Sequence, residues 1–171
     1  KILRDAVQSR LIADVPVGIC LSGGYDSSVT ALLASLSSDE KLKTFTIGFD
    51  DPARDERDIA REFAQNLGTE HHELVSDQED IADILNTIIK NSGEPISDSS
   101  IIPTFILFKL IAKHSKAALS ADGGDELFAG YNIYVKSLFI RQLNYFFSYP
   151  MEFFLKFPLP TSLRKIFEKV L

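Results

Sequence analysis

Residues 15–28 read VPVGICLSGGYDSS, and the rest of the chain is organised around them. Val15, Val17, Ile19, Cys20 and Leu21 form a short apolar run interrupted by Pro16 and Gly18, the pattern of a buried strand. Ser22-Gly23-Gly24 breaks the run, and a helical stretch from Val29 to Leu36 follows Asp26-Ser27-Ser28. A strand, a glycine loop and a helix in that order make an anion site. Glycine lets the backbone come close to a phosphate, and the unpaired N–H groups at the helix start point into the same space. Ser22, Ser27 and Ser28 add hydroxyls. Asp26 is itself anionic, so it serves phosphates only through a divalent cation such as Mg²⁺. The plainer alternative is a strand-to-helix turn capped by Asp26 or Ser27.

The stretch is neither of the better-known phosphate loops, because it lacks both G-x-x-x-x-G-K-[ST] and G-x-G-x-x-G. SGGYDSS instead resembles the pyrophosphate loop of ATP pyrophosphatases, which cleave ATP between the α and β phosphates.

Composition narrows the class. A length of 171 residues favours one domain, and 45% hydrophobic with 25% charged residues is ordinary for a globular protein. A net charge of −6 argues against broad nucleic-acid binding. The single cysteine, Cys20, rules out a disulfide within the chain and fits a reducing, cytoplasmic setting. No apolar run is long enough to span a bilayer, and no leader pattern, repeat or low-complexity segment stands out.

Working outward from the loop, residues 1–12 predict a helix with Ile2, Leu3, Val7 and Leu11 on one face. Residues 43–49, KTFTIGF, predict a second strand in which Phe45, Ile47 and Phe49 alternate with polar neighbours. Asp55 and Asp58 suggest the cap of a helix running to Leu67, striped by Ile59, Phe63 and Leu67 and closed by Gly68. EHHELV, Glu70 to Val75, predicts a third strand. Its adjacent His71 and His72 face opposite ways and cannot chelate one metal together. A helix marked by Ile81, Ile84, Leu85, Ile88 and Ile89 ends at Gly93. The polar loop 91–100 is either a site-bearing segment or a connector that caps the next helix through Ser99 or Ser100. That helix, with Pro103 in its first turn, runs to about Ala112. KAALS, Lys116 to Ser120, predicts a fourth strand, and ADGGDE repeats the glycine-loop transition.

Alternating strands and helices of this kind imply an α/β fold with a doubly wound parallel sheet. Ligands of such sheets sit beyond the carboxyl ends of the strands, where strand order reverses. If the first and fourth strands are neighbours, both loops face one crevice, and Asp26 and Asp125 can share a Mg²⁺.

With both loops in hand, the chain resembles the synthetase domain of the glutamine-dependent asparagine synthetase family. The matching segments are VPVGICLSGGYDSS, KTFTIGFDD, LGTEHHEL, GEPISDSSIIPT and SADGGDELFAGY, in family order over about two-thirds of the chain. The resemblance implies ATP and Mg²⁺ as cofactors, and aspartate and ammonia as substrates. Ser22, Gly23, Gly24, Asp26, Ser27 and Ser28 match the pyrophosphate loop, and Asp26 and Asp125 the Mg²⁺ positions. Ile47, with the backbone near Cys20 and Leu21, matches the adenine positions, and Ser120 and Ala121 the start of the second loop. Asp122 matches an acidic position implicated in handling the ammonia proton. The alternatives are a relative that adenylates another carboxylate, such as a β-lactam or peptide-cyclising synthetase, and a nucleotide-binding domain without catalysis.

Three positions depart from the family's pattern. Ala121 stands where relatives carry glycine, and its methyl is expected to crowd a backbone needing positive φ or close approach. Gly93 stands where many relatives have Asp, and Tyr25 replaces a commoner aliphatic residue. The family's glutaminase domain opens on a cysteine nucleophile, whereas this chain opens on Lys1. A phosphate-contacting lysine is expected beyond Leu171. These features suggest a fragment: an ATP-binding synthetase domain over 1–130 and a helical, aromatic-rich extension over 131–171. Glutaminase as a partner domain and a homo-oligomer are the expected associations. More than half of the aromatic residues follow Gly130. Lys156, Arg164, Lys165 and Lys169 leave a membrane-surface helix open beside ordinary packing for that segment.

Overall fold

The computed structural model describes residues 1–52, 55–75, 81–94, 97–134, 136–138, 140 and 141. It divides into two compact units, Lys1–Asp122 and Gly123–Leu171. The aromatic-rich stretch 142–171 lies outside the described residues.

The first unit contains α1 (Ile2–Arg10), β1 (Val17–Cys20), α2 (Tyr25–Ser35), β2 (Lys43–Gly48), α3 (Arg57–Leu67), β3 (Glu70–Val75), α4 (Ile81–Ser92), α5 (Ile101–Ile111) and β4 (Ala117–Leu119). The strands form one sheet in the order β3-β2-β1-β4, with every described pairing parallel. From β1 the chain winds outward to β3, then returns to add β4 on the other side of β1. Strand order therefore reverses between β1 and β4, which makes the carboxyl ends of those strands the expected ligand crevice.

Helices cover both faces. Ile19 and Leu21 point to one face and pack with Val7 of α1, Ala31 and Ala34 of α2, and Ala60 and Ala64 of α3. On the other face Phe45 packs with Leu110 and Ile111 of α5, and Ile84 and Ile88 of α4 pack with Ile106. A parallel sheet buried on both faces explains why Thr44 and Thr46, polar alternates in β2, are also buried. Gly18 lies under the Phe45 ring, where any Cβ would meet ring carbons.

Several expectations need correction. The first helix is shorter than residues 1–12, and of its four apolar positions only Val7 is buried; Ile2 is 88% exposed. In α3 the fully buried positions are Ala60 and Ala64; Phe63 and Leu67 pack partly buried against the same cluster as expected, while Ile59 is 60% exposed. Small side chains let that helix lie close to the sheet. The α3 cap is not an Asp55–Asp58 box: the N-cap is Glu56 without a side-chain bond. Asp55 instead accepts from the backbone N–H of Arg57 at 3.3 Å and grips its guanidinium. Gly68 does close α3, at φ 69°. Ser100 is the N-cap of α5, as expected, but its side chain accepts no cap hydrogen bond. The fourth strand is three residues, Ala117–Leu119.

The second unit opens with α6 (Gly124–Phe128), preceded by Gly123 at φ 91°. Gly130 N–H donates to the Asp125 carbonyl at 2.9 Å. A Cβ on Gly130 would strike the Asp125 carboxylate.

Candidate active site

The glycine loop after β1 is closed by its own serines. Ser22 and Ser27 hydroxyl oxygens lie 2.9 Å apart. The Ser27 oxygen accepts from the Ser22 N–H at 3.2 Å, and its hydroxyl donates to the Gly24 carbonyl at 3.1 Å. Gly24 N–H donates to the Ser22 oxygen at 3.3 Å. One arrangement of protons satisfies all four contacts: Ser27 donates to Gly24, and Ser22 donates to Ser27. Ser27 is buried while Ser22 is exposed, so the loop is braced from beneath and presents its outer hydroxyl. Gly23 sits at φ 86°, and a Cβ there would come within 3.1 Å of the Ala60 nitrogen. Positive φ and the tight approach of α3 together require glycine.

Asp26 and Ser28 occupy the first turn of α2, half-buried beside the loop. No hydrogen bond or ion pair joins the Asp26 carboxylate to another described residue. Among the described residues, no group of three or more histidine, cysteine or acidic side chains gathers into a metal cage. One free carboxylate beside a phosphate loop suits Mg²⁺, which takes one or two carboxylates and completes its shell with phosphate oxygens and water. Asp125 lies in the first turn of α6, in the second unit.

β2 runs past the end of β1. Leu21 N–H donates to the Phe45 carbonyl at 2.9 Å. By the two-residue alternation of a strand, the Ile47 N–H and C=O point the same way, beyond Cys20 where β1 stops. No backbone bond joins Ile47 to a described residue on that side. The Leu21 carbonyl takes the Thr46 hydroxyl instead. Leu21 is thus already engaged with β2 through both backbone groups, while Ile47 offers a donor and an acceptor. The Ile47 side chain packs toward Ile84, Ile88 and Ile106.

Beside β1, the end of β4 carries Ser120, Ala121 and Asp122. The Ser120 hydroxyl donates to an Asp122 carboxylate oxygen at 2.7 Å. Cys20, on the α5 side of β1, has its thiol pushed up from 9.0 to about 11, first by burial and then by the charge of Asp122. Asp122 follows β4 three residues beyond Leu119, which pairs with Ile19 of β1. Ala121 does not adopt the positive φ anticipated for it; among the described non-glycine residues only Ala129 does.

The histidines separate as adjacent strand positions must. The half-buried His71 Nδ1 lies 2.9 Å from the Thr44 hydroxyl, and its other nitrogen 3.2 Å from Glu73. Burial holds its pKa below the ordinary value despite Glu73. His72 stacks on Phe45 and, at 3.9 Å between ring centroids, on His114. A cavity of about 510 Å³ opens at the opposite end of the sheet, against Val15, Pro16, Leu42, Lys43 and Ser115. It lies away from the glycine loop that follows β1. Among the described residues, no helix is long and apolar enough to cross a membrane.

Comparison with known proteins agrees with this arrangement. The chain is 39% identical over 137 residues to asparagine synthetase [glutamine-hydrolyzing] 1 of Bacillus subtilis, covering 80% of this chain and 22% of that protein. It is 29% identical over 158 residues to asparagine synthetase B [glutamine-hydrolyzing] of Escherichia coli, covering 83% of this chain and 28% of that protein. The chain thus spans well under a third of these relatives. Among solved structures, the glutamine-dependent NAD⁺ synthetase of Acinetobacter baumannii in complex with ADP superposes with a TM-score of 0.53. The match is at 21% identity and covers 75% of this chain and 26% of that one, a likeness of fold. The asparagine synthase family model matches residues 1–166. A braced glycine loop on β1, an acidic loop on the adjacent β4 and a family match along nearly the whole chain lead to one conclusion: the chain belongs to the asparagine synthase family.

Proposed function

We propose that this chain is the adenylating part of an ATP-dependent amide-forming ligase, with the side-chain carboxylate of aspartate as its substrate and ammonia as its nitrogen donor. The observation that carries the reading is the pairing of β1 with β4, which sets the phosphate-type loop and Asp122 at adjacent strand ends.

A carboxylate is a poor acyl electrophile because its leaving group would be oxide. Attack by a carboxylate oxygen on the α-phosphorus forms a new P–O bond and breaks the bond to the β-phosphate, and pyrophosphate departs with the electron pair. Ammonia then attacks the acyl carbon, a C–N bond replaces the acyl C–O bond, and AMP leaves. One proton is released. Asp122 accepts it as general base.

The other groups bind and orient. Ser22, Gly23, Gly24, Ser27 and Ser28 cradle the pyrophosphate with N–H and hydroxyl donors. The free N–H and C=O of Ile47 complement the ring nitrogen and amino group of adenine. Cys20 and Leu21 give that base its floor, and the backbone of Ser120 and Ala121 borders the nucleotide. Asp26 and Asp125 would hold Mg²⁺, which when bound offsets phosphate charge. The complete protein would draw ammonia from a glutaminase domain, act in the cytoplasm and associate with copies of itself.

ATP–pyrophosphate exchange measured on the complete protein tests the reading. Exchange should depend on aspartate. Exchange supported only by another carboxylic acid would replace the substrate, and binding without any exchange would leave a nucleotide-binding domain.

A further inference from the structure

We propose that Ser120 is a positioning residue whose hydroxyl holds the Asp122 carboxylate in place for proton transfer. The inference rests on the reading of Asp122 as proton acceptor and extends it to a residue that does not touch the reacting atoms.

The contact has a fixed direction. An ionised carboxylate only accepts, so the Ser120 hydroxyl must donate, and at 2.7 Å the bond is of the short, charge-assisted kind. Ser120 is half-buried at the end of β4, whereas Asp122 is exposed two residues beyond it. Past Leu119 no strand pairing constrains the backbone. An exposed aspartate there would otherwise sample several rotamers, most of them turned to solvent. Among the described residues, Ser120 is the one hydrogen-bond partner of that carboxylate. β4 pairs with β1 as far as Leu119 and Ile19, and the charge of the held carboxylate acts on the Cys20 thiol of that neighbouring strand. With one oxygen engaged by Ser120, the other keeps its lone pairs for a proton. The Ser120 proton is then committed to Asp122, leaving the Ser120 backbone to border the nucleotide.

Two experiments together decide the matter. The first uses the chain itself and needs no activity. Cys20 is the single cysteine, so its alkylation rate against pH reads the charge standing over it. Asp122→Asn and Ser120→Ala should both move the thiol titration to lower pH, and Ser120→Thr should leave it at the wild-type position. A Ser120→Ala profile that matches wild type, or an Asp122→Asn profile that does not move, overturns the contact. The second uses the complete protein with ammonium, ATP and aspartate. Ser120→Ala should lower kcat for amide formation about tenfold, with exchange and the KM for aspartate changed less than about twofold and Ser120→Thr restoring the rate. Equal loss of exchange and amide formation would make Ser120 a nucleotide contact instead. A wild-type protein without carboxylate-dependent exchange would defeat the ligase reading, and the thiol titration would still judge the contact on its own.

Discussion

The hydroxyl oxygens of Ser22 and Ser27 lie 2.9 Å apart, so the phosphate-type loop is cross-braced by the side chain of the helix that follows it. Ser27 is buried and serves three partners at once. Ser27→Ala would leave the Ser22 N–H without its acceptor, while the Gly24 carbonyl keeps the Ser28 N–H at 3.0 Å. The expected cost is about 1–3 kcal/mol, a melting temperature lower by about 2–4 °C per kcal/mol, and weaker Mg-ATP binding because the loop loses its preset shape. Differential scanning calorimetry and titration calorimetry read the two effects. A variant with unchanged melting and unchanged affinity would show that the brace is ornamental.

Asp26→Ala and Asp125→Ala are each expected to weaken Mg-ATP binding by at least about tenfold, with far less effect on ATP measured in EDTA. The comparison isolates the metal, since a carboxylate that only repelled phosphate would give tighter metal-free binding when removed. Equal affinity for Mg-ATP in wild type and both variants would withdraw the assignment.

Cys20 should react slowly with iodoacetamide in the native chain at pH 8 and quickly in urea. Its folded thiol is pushed up to about 11 from 9.0. Because the folded form retains its proton where the unfolded form has lost it, this thiol favours folding below pH 9 and the contribution disappears as pH rises toward 11. The same neutral thiol is a poor nucleophile, so the chain alone should form no asparagine from glutamine. Asparagine formed from glutamine by the purified chain, or equal alkylation rates with and without urea, would contradict this account.

Acid should destabilise the first unit through His71 and His114. Burial lowers His71 below 6.5 with Glu73 opposing the shift, while the exposed His114 is lowered by partial desolvation and by His72 and Lys43. A lowered histidine binds fewer protons folded than unfolded, so its contribution is present above 6.5 and is lost as pH falls below that value. The urea midpoint should fall between pH 7.5 and 5.5, and His71→Gln should flatten the slope. A midpoint independent of pH over that range would rule the histidines out.

What the sequence disclosed depended on whether the signal was local. The glycine loops, Gly68 and the six residues of β3 were legible because turn chemistry and short apolar runs act over a few neighbours. In α3 the sequence favoured Ile59 over Ala60 as the packing face. Neighbouring positions differ by 100° on a helix, and the choice between them belongs to the sheet, which admits only a small side chain there. The burial of Thr44 and Thr46 is not announced by β2 itself, because it comes from helices packed on both faces of the sheet. The His72–His114 stack joins residues far apart in the chain, and nothing local announces it. Gly130 was passed over for a similar reason: its need for glycine comes from the Asp125 carboxylate folding back over it.

The unequal lengths of β1 and β2 carry a consequence for inheritance. Under the proposed function, adenine is read by the peptide group of Ile47, left over where the shorter strand ends, and the side chain at that position only faces the α4–α5 layer. Recognition of the base is then a property of strand length. Substitutions at Ile47 that preserve its packing can accumulate without altering which nucleotide is chosen, whereas a single residue inserted into β1 would carry the strand over the free groups of Ile47 and turn the side chains that follow it to the opposite face.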